Sequence, residues 1–250
     1  MSHKLPPSLV PTLRQAQHIA VLTGAGISAE SGVPTFRDAQ TGLWAKYSPE
    51  ELATPQAFRR NPRLVWEWYA WRRELVTKAE PNPGHVVLAQ IETYLAASQA
   101  RFTLITQNVD GLHQRAGSQN VIELHGNINR TKCFEEGVIV ESWPPTGDVP
   151  PPCPHCGGYL RPDVVWFGET LPAAALAEAS TAAQTCDVFM SIGTSGLVQP
   201  AASLPYLALQ QGAVIIEINP DETPLTAIAS YVLSGPAGQV LPALWQALRF

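Results

Sequence analysis

The chain has 250 residues, 45% of them hydrophobic, and a formal net charge of -5. That length and hydrophobic share allow one sizeable core with room for a smaller inserted module. The acidic balance excludes a nucleic-acid or anionic-membrane surface, which would need clustered Lys and Arg; with no signal-like apolar stretch and no run of about 18 apolar residues, a cytoplasmic, non-membrane protein is expected.

In chain order, Ser8 to Gln17 is patterned as a helix and leads into the apolar run His18 to Thr23, which reads as a buried strand. A helix-rich stretch from about Thr41 to Glu80 follows. His85 to Ala97 then reads as a helix and Arg101 to Thr106 as a strand. The stretch from about Asn129 to Pro162 breaks the alternation, and six of the 23 prolines fall between Trp143 and Pro154, which forbids helix or central strand there. Beyond it, Pro172 to Ala183 and Ala201 to Gln210 read as helices, and Asp187 to Ile192 and Ala213 to Asn219 as strands. The alternation predicts an α/β fold, a doubly wound parallel Rossmann-like sheet built from residues 1–40, 81–128 and 163–250. The helical insertion at 41–80 and the Cys- and Pro-rich, degenerate zinc-ribbon-like insertion at 129–162 are expected to form a second, smaller domain. Ligands of such sheets sit beyond the carboxyl ends of the strands, and each polar motif below follows a strand.

The first strand runs into Gly24-Ala25-Gly26-Ile27-Ser28, where glycines allow a sharp turn and a pyrophosphate would meet free N–H groups. Alone this is no more than a tight turn, and Ala29 departs from the full G-x-G-x-x-G pattern. The sequence continues Ser31-Gly32-Val33-Pro34-Thr35-Phe36-Arg37-Asp38. The next strand ends in Thr106-Gln107-Asn108-Val109-Asp110-Gly111-Leu112-His113. His125-Gly126, Arg161 to Glu169, Gly193-Thr194-Ser195 and Asn219-Pro220-Asp221 follow. Asn108 and Asp110 set an amide and a carboxylate at alternate positions, suited to the carboxamide of nicotinamide, although a structural Asx turn would use the same residues. Ser195 suits a phosphate or an N-cap, and Asn219 a ribose hydroxyl or a turn. His125 has the ordinary pKa near 6.5 of a general base, yet a lone histidine is more often a hydrogen-bonded core residue.

These motifs, in this order over nearly the whole chain, closely resemble the sirtuin family. The resemblance implies an NAD-dependent protein-lysine deacylase that releases nicotinamide and O-acyl-ADP-ribose. It implies NAD as co-substrate on Gly24, Ala25, Gly26, Ser28, Pro34, Phe36, Arg37, Gln107, Asn108, Asp110, Gly193, Thr194, Ser195, Asn219, Pro220, Asp221 and Ala237. His125 would be the base that deprotonates a ribose hydroxyl, and His113 a structural or cofactor-adjacent residue. Val165, Phe167, Gly168 and Glu169 would take the substrate backbone by strand addition. The implied partners are acylated lysine side chains of proteins; no feature specifies an oligomeric state.

A helix opens at Asn61-Pro62, with Leu64, Trp68, Trp71 and Leu75 as the expected packing stripe and Val65, Tyr69, Arg72 and Val76 beside it. Arg72 alone reads as an amphipathic side chain reaching for solvent. The Tyr69–Arg72 pair, however, resembles the sirtuin subgroup that removes succinyl and malonyl groups, with Ala53 as the small residue that widens its pocket. A guanidinium fork and a phenol suit a terminal carboxylate. Desuccinylase and demalonylase activity, with weaker deacetylase activity, is therefore expected.

Sirtuins carry zinc on two C-x-x-C pairs. Cys153-Pro154-His155-Cys156 is intact here, but Cys133-Phe134-Glu135-Glu136 has Glu where the pattern has Cys. Cys133, Cys153 and Cys156 with a carboxylate are an admissible tetrahedral set; a vestigial site held by packing and prolines is the alternative. Cys186 reads as a buried small hydrophobe. Two other functions fit the same cofactor: a protein mono-ADP-ribosyltransferase, against which Tyr69 and Arg72 weigh, and a silent NAD- or ADP-ribose-binding module, against which His125, Asn108 and Asp110 weigh. A hydride-transfer dehydrogenase lacks its G-x-G-x-x-G pattern.

Overall fold

The computed structural model describes residues 5–34 and 47–249. Its strands are β1 (His18–Thr23), β2 (Arg101–Thr106), β3 (Val121–Glu123), β4 (Gly126–Cys133), β5 (Leu160–Val164), β6 (Val188–Ile192), β7 (Val214–Asn219) and β8 (Tyr231–Ser234). Its helices are α1 (Leu9–Gln15), α2 (Gly26–Ala29), α3 (Pro49–Leu52), α4 (Pro55–Arg60), α5 (Pro62–Lys78), α6 (Pro83–Ala97), α7 (Leu112–Arg115), α8 (Ala173–Thr185), α9 (Leu204–Gln210) and α10 (Ala237–Arg249). A six-stranded sheet of order β3-β2-β1-β6-β7-β8 is parallel throughout, and β4 and β5 form a separate antiparallel pair.

Strand alternation explains why the sheet's runs are apolar on both sides. Ile19 and Val21 of β1, with Val188, Met190 and Ile192 of β6, meet Leu9 of α1, Leu88 of α6 and Leu244 of α10 in one core. Ala20, Leu22 and Phe189 point to the other face and meet Ala179 and Ala183 of α8 and Ala208 of α9. The chain winds outward from β1 through β2 to β3, and from β6 through β7 to β8. The neighbours β1 and β6 therefore flank the topological switch point, where a crevice opens beyond their carboxyl ends.

The predicted strands at 18–23 and 101–106 are found at those bounds, while β6 and β7 each start one residue later than predicted. The short strands β3 and β8, the β4–β5 pair and the helix α10 have no counterpart in the sequence reading. On α5 the buried stripe is Val65, Trp68, Tyr69 and Val76, whereas Leu64, Trp71 and Leu75 are only partly covered. This shifts the expected packing face: Trp68 of the expected stripe is buried, and beside it Val65, Tyr69 and Val76 of the neighbouring row carry the rest of the burial. Together with Leu52, Ala53 and Phe58 that row packs on Ile128, Val164 and Trp166 at the β4–β5 pair, forming a third core. β4 runs across residue 128 and β5 across residue 162, so the expected segment edges fall inside strands. Among the described residues no helix is long and apolar enough to cross a membrane.

Candidate active site

The loops after β1 and β6 lie backbone against backbone at the switch point. Gly24 N–H donates to Ile192 O at 3.1 Å, and Gly26 N–H to Gly193 O at 2.8 Å. A Cβ at Gly26 would lie 2.7 Å from Gly193 O, and one at Gly193 only 2.4 Å from Ile27 N. The expectation that these glycine N–H groups stand free for a pyrophosphate is thus corrected. They are spent locking two loops together, and the glycines exist because any side chain would force the loops apart. Ala25, half-buried between them, keeps an N–H with no partner among the described residues.

Beyond β2, a buried polar network fills the crevice wall. Asn108 Nδ2 donates to Gly24 O and to Ser28 Oγ, both at 3.0 Å, and Ser28 Oγ donates to Asp110 Oδ2 at 2.7 Å. The Asn82 N–H points at His85 Nδ1 (3.3 Å), so that nitrogen accepts and His85 Nε2–H donates to Ser28 Oγ, also 3.3 Å away. Ser28 therefore has its hydroxyl fully used, and serves the site by fixing Asn108 and Asp110. Asp110 Oδ1 accepts from Leu112 N–H at 2.9 Å, and burial raises its carboxyl above the usual range against those bonds. Thr23 gives its proton to Thr106 and accepts from His113 Nε2 at 2.9 Å. Burial pushes His113 down to about 3 and His85 down to about 4, so both are neutral struts. His85 was not singled out by the sequence reading. The spacing Asn82-Pro83-x-His85, in which the two side chains cap each other's backbone, was the available signal.

His125 stands at the mouth of this crevice, half-buried. Its Nδ1 lies 2.9 Å from Gln107 O, and a carbonyl only accepts, so Nδ1 carries the proton and Nε2 the free lone pair. Burial lowers its pKa below 6.5, with the Gln107 bond opposing, so the ring is neutral at neutral pH. Its own carbonyl accepts from Val165 N–H at 2.9 Å, which seats the end of β5 beside it.

Three further segments line the cleft. Thr194 Oγ1 accepts from Gly196 N–H at 3.1 Å, and Asn219 Nδ2 donates to Thr194 O at 3.1 Å, tying the β6 and β7 loops. Gln107 Nε2 reaches Thr194 Oγ1 at 3.4 Å. Ser195 Oγ and Asn108 Oδ1 have no hydrogen-bond partner among the described residues, which leaves both able to bind a ligand. Pro34 is half-buried, Pro220 and Asp221 are exposed, and Phe36 and Arg37 lie outside the described residues. Ala237 is 4% exposed and its side chain belongs to the sheet core; the start of its helix is capped by Glu30, which accepts from Gly238 N–H at 2.7 Å.

The segment after β5 does not continue as a strand. Val165, Trp166, Phe167 and Glu169 have their N–H groups engaged by His125 O, Glu169 Oε2, Ala53 O and Trp166 O, and Gly168 turns at φ 84°. Only the Gly168 N–H among them lacks a partner in the described residues, which restricts the expected strand addition to that group and the segment's carbonyls. Glu169 is held inward: its carboxylate pairs with Arg161 at 2.5 and 3.0 Å, and Arg161 lies 3.2 Å over the Trp166 ring. Burial raises Glu169, but Arg161 and the Trp166 N–H bring it below the ordinary range. Trp166 Nε1–H donates to Tyr69 Oη at 2.9 Å, and Ala53, 3% exposed, closes the same wall. Burial pushes the Tyr69 phenol far above its ordinary pKa, so it remains a protonated donor. Arg72 lies 5.3 Å over the Trp68 ring; burial lowers its pKa, with Tyr69 and Asp110 opposing.

Away from the cleft, the Sγ atoms of Cys133, Cys153 and Cys156 and a Glu136 carboxylate oxygen all lie within 4.8 Å of one another. Soft sulfur donors with one oxygen fit zinc better than magnesium or calcium. Cys186 is buried, as expected.

Residues 24–200 match the profile of the Sir2 family. A protein from Aquifex aeolicus named NAD-dependent protein deacylase is 54% identical over 93% of this chain and 95% of its own. A Sir2 homolog solved as its NAD complex is 49% identical, superposes with a TM-score of 0.90, and is matched over 99% of this chain and 95% of its own. A mutant Sir2 homologue in complex with 2'-O-acetyl ADP ribose is 50% identical with a TM-score of 0.88, over 98% of this chain and 97% of its own.

Proposed function

The chain belongs to the Sir2 family, and from that premise we propose that the cleft beyond β1, β2, β6 and β7 binds NAD and an acylated lysine, with His125 as the base. The protein is an NAD-dependent protein deacylase. We read residues 41–80 and 129–162 as the smaller unit against which the substrate lysine lies. The observation that carries the assignment is the tautomer of His125: Nδ1–H is held by Gln107 O, which leaves Nε2 unprotonated and able to accept a proton. When bound, the cofactor supplies an electrophilic ribose carbon and nicotinamide as leaving group. Asn108 and Asp110 orient the carboxamide, Ser195 and Asn219 hold phosphate and ribose, and the paired loops at Gly24 and Gly193 keep the crevice narrow. His125 Nε2 takes the proton of a ribose hydroxyl, so that the acyl group passes to the sugar.

The acyl group we propose is acidic. Tyr69 Oη accepts from Trp166, so its own proton can be donated, and Arg72, three residues on along the same helix face, offers a partly desolvated guanidinium. Succinyl- and malonyl-lysine would end their carboxylates there, whereas acetyl-lysine brings no carboxylate to the pair. Arg72→Met should lower kcat/KM for a succinyl-lysine peptide by roughly 100-fold while leaving acetyl-lysine turnover nearly unchanged. An unchanged succinyl/acetyl ratio removes the acidic-acyl reading but leaves the deacylase reading intact.

A further inference from the structure

The segments Cys133-Phe134-Glu135-Glu136-Gly137 and Cys153-Pro154-His155-Cys156-Gly157 are one turn built twice. In each, the closing glycine has positive φ, 70° in the first and 77° in the second. In each, that glycine's N–H returns to the carbonyl of the opening cysteine, at 3.0 and 2.9 Å. The fourth residue's N–H is aimed at the opening sulfur in both: Glu136 N lies 3.4 Å from Cys133 Sγ, and Cys156 N–H bonds Cys153 in the same way. Glu136 therefore occupies in the first turn the place that Cys156 occupies in the second.

The two turns face each other. Phe134 N–H donates to Tyr159 O at 2.9 Å, and a Cβ on Gly158 would lie 2.8 Å from Glu135 Cγ and 3.3 Å from Cys156 Sγ, so a glycine there lets the turns close. Cys133 and Cys156 Sγ are 3.4 Å apart, and all the donor atoms of the set lie within 4.8 Å of one another. A tetrahedron with zinc–sulfur bonds near 2.3 Å has edges of roughly 3.8 Å, inside that limit. Cys133 and Cys153 are buried beside Val140 and Leu160, while Cys156 and Glu136 are exposed, so a metal would sit at the rim of this small core.

We propose that the Glu136 carboxylate is the fourth ligand of a tetrahedral zinc site whose other ligands are Cys133, Cys153 and Cys156. A divalent cation at the centre of these four donors would join the two turns through side chains that the fold already gathers. The neighbouring Glu135 is not part of the set.

The test reads the metal itself. The full chain, stripped of metal, is titrated with zinc and with cobalt, alongside Glu136→Ala, Glu136→Gln, Glu136→Cys and Glu135→Ala. The site predicts one zinc per chain, and a cobalt form with tetrahedral visible bands and sulfur-to-metal charge transfer from three thiolates. Glu136→Cys should raise that charge-transfer intensity by about a third and tighten zinc binding. Glu136→Ala and Glu136→Gln should weaken zinc by at least the roughly 10-fold that losing even an outer-shell partner brings. Glu135→Ala should match the parent. A parent that takes up no zinc overturns the proposal, as do Glu136→Ala and Glu136→Gln variants with unchanged zinc affinity and cobalt spectrum.

Discussion

At the scale of single residues, His125 and its tautomer set the pH behaviour. The neutral ring is the working form, and burial holds its pKa below 6.5. The acid limb of kcat/KM should therefore fall below pH 6.5, and a limb centred above 6.5 would contradict this assignment. His125→Ala should lower turnover by roughly 100- to 10,000-fold, the usual worth of a positioned base. Tyr69→Phe keeps the ring but removes one donor and the acceptor of the buried Trp166 Nε1–H; beyond any loss the two substrates share, it should cost the succinyl substrate about 10-fold more than acetyl-lysine, read as kcat/KM on the two peptides. The motif residues were legible because their types and spacing are rare together. What they do for one another was not: that Ser28 is saturated by Asn108, His85 and Asp110 depends on the loops after β1 and β2 meeting the start of α6, which no local pattern encodes. Glu169 was read as a substrate contact, yet its oxygens are engaged by Arg161, eight residues earlier and across a turn that sequence alone does not draw.

At the scale of elements, the paired glycine loops carry the sharpest prediction. Gly26→Ala pushes a Cβ to 2.7 Å from Gly193 O, whereas Gly32, with φ 76°, has open space around it. Gly32→Ala should then cost about 1–2 kcal/mol, the ordinary penalty of a left-handed residue. Gly26→Ala should lose more, and should raise KM for NAD because the crevice wall moves; thermal unfolding and NAD kinetics on both variants check this. Equal losses, with KM unmoved, would count against loop locking. The strands β1, β2, β6 and β7 were legible as apolar runs because both faces are covered. β3 and β8 span only Val121–Glu123 and Tyr231–Ser234, too short for a periodicity. β4 reads GNINRTKC, with polar residues that its position at the edge of the third core permits. α10 went unread although its Val240, Leu241, Leu244 and Leu248 stripe is regular, because Pro242 sits inside it and Gly235-Pro236 opens it.

At the scale of the whole molecule, the buried neutral histidines couple fold to pH. His85 is held down to about 4 and His113 to about 3, against about 6.5 in the unfolded chain. The unfolded chain thus binds more protons between pH 6.5 and those values, so stability is full above 6.5 and declines as pH falls through it. The His85 share is on the order of 3 kcal/mol across that window. Urea midpoints should drop between pH 7.5 and 5, and less in His85→Gln; a pH-independent midpoint would contradict the neutral-strut reading. The doubly wound sheet follows from alternation alone, whereas the joining of helices α3–α5 to the β4–β5 pair rests on contacts far apart in sequence, among them Tyr69 with Trp166. That joint is where the proposed acyl end and the proposed base meet. The most direct measurement is mass spectrometry of the full chain incubated with NAD and a succinyl-lysine peptide. The account predicts deacylated peptide, nicotinamide and O-succinyl-ADP-ribose in equal amounts. Peptide or protein carrying ADP-ribose, with the succinyl group still on lysine, would contradict it.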